Sequence, residues 1–104
     1  MQNKILSFIG LMKKAGALVS GEENCGKTCR AKKAVYIYLA SDSSENCRKK
    51  AASFAGTGNV PLRELPFTKS ELAITLNTGE CALICCTDNG FSSALEKKLE
   101  EYGG

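Results

Sequence analysis

Residues 35–40 have the sequence VYIYLA, an unbroken apolar run of β-branched and aromatic side chains. A strand with one face in solvent alternates polar and apolar positions, so this run is typical of a strand covered on both faces. Asp42 follows, and Glu45 comes three residues later, a pattern that predicts a helix N-cap at Asp42. The segment thus predicts a buried strand that leads directly into a helix, as in α/β folds.

The same alternation continues in both directions along the chain. Pro61 favours a sheet edge for its strand, because proline has no N–H to give to a central ladder. Thr68 with Glu71 forms a capping box, and Asp88 is placed to cap the last helix. The predicted strands are 17–20, 35–40, 60–63 and 82–86, and the predicted helices are one ending at Gly16, 22–32, one ending at 56–58, 69–76 and one after Asp88. We expect a single domain over residues 1–104, a three-layer α/β/α sandwich around a four-stranded sheet, mostly parallel or mixed.

Composition excludes several classes of function. The chain has 104 residues, 43% of them hydrophobic and 24% charged, and a net charge of +3, which is a globular balance. It has no histidine, which removes imidazole bases, His-containing zinc sites and Ser-His or Cys-His nucleophile pairs. No run approaches the ~20 apolar residues that cross a bilayer, and apolar residues 5–12 have no signal-peptide cleavage site after them. We expect a cytoplasmic protein that does not interact with membranes.

The cysteines are interpreted mainly as small buried hydrophobic residues. There are six of them, at positions 25, 29, 47, 81, 85 and 86, too few for a disulfide scaffold and without a C-x-x-C pair to start a metal site. An alternative is a redox-sensitive or protein-interaction module, because Cys25 lies at a predicted helix start, where a thiolate is favoured.

The charge is distributed unevenly between the two halves of the chain. Residues 1–52 carry ten Lys or Arg against four acids, a net +6, whereas residues 53–104 carry four against seven, a net −3. A basic half joined to an acidic half predicts one face directed at a polyanion.

Residues 21–28, GEENCGKT, match the P-loop pattern G-x-x-x-x-G-K-[ST] after a predicted strand. Asp42 and Asp88 could then serve as magnesium partners. Against this hypothesis, Glu22 and Glu23 would direct negative charge into a nest meant for polyphosphate. The preceding strand is also short, and the chain has no room for nucleotide-sensing segments. A small nucleotide binder therefore remains the less favoured alternative.

The same stretch fits a docking edge for nucleic acid better. Backbone amides at a helix start can bind a phosphate, and Lys27 and Arg30 lie one turn apart on the same helix. Lys32 and Lys33 extend the positive surface, and Asn24 can hydrogen-bond a base edge in an irregular RNA. On charge alone, an ordinary solvated helix face explains the pattern equally well.

The order of the motifs resembles the kink-turn-binding ribosomal-protein superfamily, of the archaeal large-subunit seven-Ae type, and within it the YlxQ-like branch. The resemblance covers nearly the whole chain. The matching stretches, in order, are LVSGEE (18–23) leading to Lys27, AKKA (31–34), LASDSS (39–44) with Asn46, Val60-Pro61, KSEL (69–72) and TDNGF (87–91).

This resemblance implies an α/β/α domain that binds kinked RNA without catalysis, metal, cofactor or small-molecule substrate. The partner would be structured RNA, such as ribosomal RNA or a riboswitch, and we expect a monomer. In the family the helix after the first strand enters the RNA with the pattern G-x-N-E-x-x-K, and the loop before the last strand makes a second contact. The RNA-binding residues implied here are Gly21, Glu23, Asn24, Lys27, Arg30, Lys32, Lys33, Leu76, Asn77 and Thr78.

The chain departs from the family pattern at both contacts. Glu23 stands where the family has Asn, and Asn24 stands where it has Glu. YlxQ-like proteins often have Gly-Lys where this chain has Asn77-Thr78. Glu23 adds charge repulsion next to a phosphodiester backbone, and the absence of the lysine at 77–78 removes a favourable charge.

Overall fold

The structure is a computed structural model that describes residues 3–103. Residues 1, 2 and 104, which the single-domain prediction included, lie outside the described residues. Helices and strands alternate as expected, in the order α1 (Lys4–Lys14), β1 (Leu18–Ser20), α2 (Glu22–Arg30), β2 (Tyr36–Leu39), α3 (Glu45–Gly58), β3 (Leu62–Glu64), α4 (Lys69–Leu76), β4 (Leu83–Cys86) and α5 (Asn89–Gly103).

The four strands form one mixed sheet in the order β1-β4-β2-β3. β2 and β3 are parallel, whereas β4 runs antiparallel to both of its neighbours, with Leu83 opposite Leu39 and Ile84 opposite Ser20. The mixed alternative of the sequence prediction is therefore confirmed, and a mostly parallel sheet is not. β3 lies at the edge, as Pro61 indicated. Because β4 is reversed, its first residue lies beside the last residues of β1 and β2.

Helices cover both faces of the sheet, which confirms the three-layer sandwich. Successive residues of β2 point to opposite faces: Ile37 and Leu39 pack with Cys25 and Cys29 of α2, whereas Tyr38 packs with residues of α1, α4 and α5. Both faces of β2 and β4 are buried, so the apolar runs that predicted fully covered strands are explained.

The helix caps confirm two predictions and correct one. The Thr68–Glu71 capping box is present, and the Asp88 carboxylate accepts from the Phe91 N–H at 2.9 Å. The predicted N-cap at Asp42 is wrong: Ser44 caps α3, its hydroxyl accepting from the Cys47 N–H at 3.1 Å. Asp42 accepts instead from the Lys69 N–H at 2.8 Å. Its carboxylate therefore binds the first turn of α4, whereas local spacing had assigned it to α3.

The basic half of the chain does not form one face. α1 and α2 lie on opposite sides of the sheet, so the lysines of α1 are separated from those of α2 and α3. Lys13 has a structural role, because its ammonium donates to the Leu76 carbonyl at 2.5 Å, at the negative end of α4. Within the described part of the chain, no helix is long and apolar enough to span a membrane.

Candidate nucleic-acid interface

Three helices begin at the same end of the sheet, which we call the helix-start edge. It consists of the first residues of α2, α3 and α4 together with residues 80–83, which lead into β4. Gly21 joins these parts: its N–H donates to the Leu83 carbonyl at 2.9 Å. Gly21 has φ +94°, a conformation that side-chain-bearing residues rarely adopt, so glycine is required at this turn.

The N-terminus of α2 differs from those of the other helices. Side-chain oxygens of Asn3, Ser44, Thr68 and Asp88 accept from first-turn N–H groups of α1, α3, α4 and α5. Gly21 has no side chain with which to cap α2, and no side chain accepts from the first-turn amides of α2 within residues 3–103. These amides carry the positive end of the helix dipole and have no intrahelical partner, which suits them to an anion.

A cavity of about 430 Å³ opens next to this helix start. Its walls come from all the segments that meet at the edge: Gly21, Glu22, Ser44, Cys47, Lys69, Glu80, Cys81, Ala82 and Leu83. The loop that precedes β4 therefore lies beside the start of α2. Residues 80–83 line the cavity, whereas the residues 76–78 chosen from the sequence do not.

Ion pairs surround the edge. Glu22 Oε1 lies 3.0 Å from Lys50 Nζ, Glu80 Oε1 lies 3.6 Å from Lys69 Nζ, and Glu23 Oε1 lies 3.7 Å from Lys27 Nζ. In each pair at least one of the two side chains is more than half exposed, so each pair stabilises the fold only slightly. Their more important effect is electrostatic, because each carboxylate offsets a lysine that could otherwise neutralise a phosphate.

Asn24 and Lys27 both point to solvent on α2. The Asn24 amide nitrogen donates to the Ser20 carbonyl at 3.0 Å, which leaves its side-chain oxygen for a ligand. Lys27 is 65% exposed at its side chain and lies one turn after Glu23. Both side chains are therefore accessible to a ligand, and the Glu23 carboxylate lies beside Lys27; their RNA-binding roles stay predictions.

The other basic residues predicted to bind RNA lie at or just beyond the other end of α2: Arg30, Lys32 and Lys33. A nine-residue helix is about 13 Å long, so Lys32 and Lys33 are well separated from Gly21. The Arg30 side chain extends back along the helix, with Nη1 3.3 Å from where a Cβ at Gly26 would lie. Lys32 donates its ammonium proton to the Thr57 carbonyl of α3, so it holds two helix ends together as well as carrying charge.

The predicted loop residues fall into two groups. Leu76 is 2% exposed and belongs to the core, so its side chain is withdrawn from the interface. Asn77 adopts the left-handed conformation that ends α4, with φ +53°, as expected for a C-cap asparagine. Asn77 and Thr78 are exposed but do not line the cavity.

The P-loop hypothesis is contradicted by the geometry. α2 begins at Glu22, so residues 22–28 are helical and form no open loop around a phosphate chain. Gly26 is buried against the Phe54 ring of α3, where it permits close helix packing. Asp42 and Asp88 follow antiparallel strands and so lie at opposite ends of the sheet, which rules out a shared magnesium ion.

The redox hypothesis for Cys25 is also contradicted. All six cysteines are buried, and Cys25 is 0% exposed. The neighbouring Cys85 thiol, together with burial, raises the pKa of the Cys25 thiol, so the thiolate is disfavoured at this helix start. Among residues 3–103 no group of three or more His, Cys, Asp or Glu side chains is arranged to hold a metal ion. The protein-interaction alternative stays a prediction.

Sequence reasoning missed Ser44, Lys69 and Glu80 as members of this edge. Ser44 and Lys69 each start a helix that follows a strand, and that position was a usable signal. Glu80 had no local signal, because its place depends on β4 being antiparallel to β1 and β2.

Comparisons with known proteins find proteins whose length this chain covers almost completely. No protein-family model matches the chain. A solved Bacillus halodurans protein of unknown function superposes with a TM-score of 0.83 at 26% identity, covering 95% of this chain and 99% of that one. A Giardia lamblia 15.5 kD RNA-binding protein superposes with a TM-score of 0.68 at 13% identity, covering 97% and 92%, and shows a shared fold.

Two curated relatives carry the same name. The chain is 27% identical over 93 residues to RNA-binding protein YlxQ of Bacillus subtilis (strain 168), covering 89% of this chain and 92% of the relative. It is 34% identical over 100 residues to RNA-binding protein YlxQ of Enterococcus faecium, covering 95% and 94%. With this identity extending along nearly all of both chains, the protein belongs to the YlxQ family.

Proposed function

We propose that this protein is a non-catalytic RNA-binding module that docks structured RNA at the helix-start edge. The main observation that supports this proposal is that the first-turn amides of α2 have no side-chain cap. The other four helices are capped by side chains. The relatives named as RNA-binding proteins support RNA, over other polyanions, as the ligand.

The kind of RNA follows from the shape and charge of the edge. A cavity of about 430 Å³ beside the exposed amides accommodates a group that projects from a bent backbone better than the even surface of a straight duplex. The charges nearby are partly neutralised by Glu22, Glu23 and Glu80, so shape contributes more to binding than net charge does. We infer a kink-turn-like RNA, with ribosomal RNA and riboswitches as candidate sources.

The test compares a kink-turn RNA with a straight duplex of equal length in gel-shift titrations across a salt series. Lys27→Ala should weaken binding to kinked RNAs of different sequence by a similar factor and lower the salt slope by roughly one, because it removes one phosphate contact. Lys97→Ala is the matched control: this lysine is exposed on α5, on the opposite face of the sheet from α2, and should change neither quantity.

Asn24→Ala distinguishes base contact from phosphate contact. Its side-chain oxygen is free to accept from a base, so this variant should change the preference among kinked RNAs and leave the salt slope as it is. Equal binding of kinked and straight RNA by the wild-type protein would contradict the kink-turn assignment. No binding to either RNA at low salt would contradict RNA binding at this edge.

A further inference from the structure

Two carboxylates line the cavity at the helix-start edge, in a region that the proposed function assigns to a polyanion. Glu22 and Glu80 belong to different segments, the first turn of α2 and the loop before β4. Each is paired with a lysine from a different helix: Glu22 with Lys50 of α3, and Glu80 with Lys69 of α4. The carboxylates therefore lie where phosphates would otherwise lie.

The positions of these side chains are determined by the tertiary structure. Glu22 is half-exposed, with 44% of its side chain in solvent, and it also neighbours the buried Cys47 thiol, whose pKa is raised by burial and by Glu22. Lys69 is only 29% exposed at its side chain, so its ammonium has little freedom to leave the cavity wall. Both pairs join different segments of the fold, so each pair depends on the tertiary structure.

A lysine paired in this way contributes less to generic polyanion binding. Non-specific affinity for nucleic acid comes from lysines and arginines that neutralise phosphates and release counterions. A phosphate that approaches Lys50 or Lys69 must either displace the ion-paired carboxylate or bind next to it and be repelled by its negative charge. The backbone amides and the base contacts at α2 keep their contribution to RNA affinity, because that contribution depends on geometry and not on the net charge of the edge.

We propose that Glu22 and Glu80 act as internal counter-ions that suppress binding of ordinary duplex RNA and so leave discrimination to the shape-dependent contacts at the start of α2. This inference rests on the proposed function. A straight duplex can slide until phosphates face both freed lysines, whereas a kinked RNA is held in one register by its specific contacts. Removing the two negative charges therefore helps the straight duplex more.

The experiment compares two charge-matched double variants of the full chain. Glu22→Gln with Glu80→Gln removes both carboxylate charges that line the cavity. Glu100→Gln with Glu101→Gln removes two charges from exposed positions on α5. Binding to a kink-turn RNA and to a straight duplex of equal length is measured from low to physiological salt, and urea unfolding checks that both variants fold.

The edge variant should bind the straight duplex about tenfold more tightly at low salt, with a salt slope steeper by roughly two, and the kinked RNA less than about threefold more tightly. The α5 variant should change either affinity by less than about twofold, because neither Glu100 nor Glu101 lines the cavity or forms an ion pair with Lys50 or Lys69. An equal gain in the α5 variant, or no gain in the edge variant, overturns the inference.

The outcomes separate this inference from the proposed function. If the wild-type protein prefers kinked RNA and the edge variant does not gain duplex binding, the RNA function stands and the counter-ion role fails. If the wild-type protein shows no preference but the edge variant gains duplex affinity, the counter-ion role stands and the kink-turn assignment fails. No binding by any of the proteins contradicts both.

Discussion

The backbone at Lys32 shows how one residue serves two helices. Its φ of +61° lies in the left-handed region, which costs a residue with a side chain roughly 1 kcal/mol relative to glycine. Its N–H donates to the Cys29 carbonyl at 3.1 Å and so ends α2, and its ammonium donates to Thr57 at the end of α3. The exposed hydrogen bond from the Lys32 ammonium to Thr57 only partly offsets the cost of the left-handed backbone conformation.

We therefore expect Lys32→Gly to raise the free energy of unfolding by about 0.5–1 kcal/mol, because relief of strain exceeds the loss of an exposed contact. Lys33→Gly is the control: Lys33 has an ordinary backbone conformation, so glycine there should lower the stability by about 0.5 kcal/mol. Urea unfolding of both variants measures the difference. A shift of the same sign in both would show that the left-handed angle does not control stability here.

At the same scale, local sequence patterns indicate which candidate site residues are exposed but not which are buried, and the RNA-binding roles of all of them stay predictions. Asn24, Lys27 and Asn77 are exposed as expected, because polar residues at helix surfaces and caps are recognisable from local patterns. Leu76 is buried, because an apolar residue at the last turn of a helix can face either the core or a ligand, and only the packing of α4 decides which.

At the scale of elements, the contact between α2 and α3 decides the role of Gly26. A Cβ added there would lie 3.0 Å from Cζ of Phe54 and 3.1 Å from Cε1. The glycine that completed the P-loop pattern is thus explained by helix packing, since its missing side chain lets the Phe54 ring approach the backbone of α2.

Gly26→Ala should lower the free energy of unfolding by about 1 kcal/mol, because the displaced ring costs more than the gain in helix propensity. Gly56→Ala provides a matched comparison within α3: nothing lies within 4 Å of an added Cβ, so it should stabilise the protein by about 0.5–1 kcal/mol. Thermal or urea unfolding would distinguish them. Stabilisation by both substitutions would show that Phe54 does not restrict α2.

For the molecule as a whole, the buried thiols couple stability to pH. Burial, together with the nearby Cys85, raises the pKa of Cys29 from 9.0 to about 11. A pKa that is higher in the folded state contributes stability below the unfolded value and loses it as pH rises through the folded value. The contribution of Cys29 is thus complete below pH 9 and is lost by about pH 11.

We expect the free energy of unfolding to fall as pH rises from 9 to about 11, with about 1–2 kcal/mol of the decrease due to Cys29. Cys29→Ala should be less stable at pH 8 but should show a shallower decrease over the same window. Urea unfolding at several pH values gives both slopes. Parallel slopes for the two proteins would mean that another group carries the pH dependence.

The sequence by itself determined the alternating elements, the two doubly buried strands, the capping box of α4 and the helix after β1 that carries Lys27 and Arg30. These features depend on residues within a few positions of one another, so local hydrophobicity and hydrogen bonding are sufficient to specify them. The tertiary structure alone decided that β4 runs antiparallel, that Asp42 serves α4 while Ser44 caps α3, and that Glu80 lies opposite Lys69. Each of these depends on how separate elements pack against one another, which no short stretch of sequence encodes.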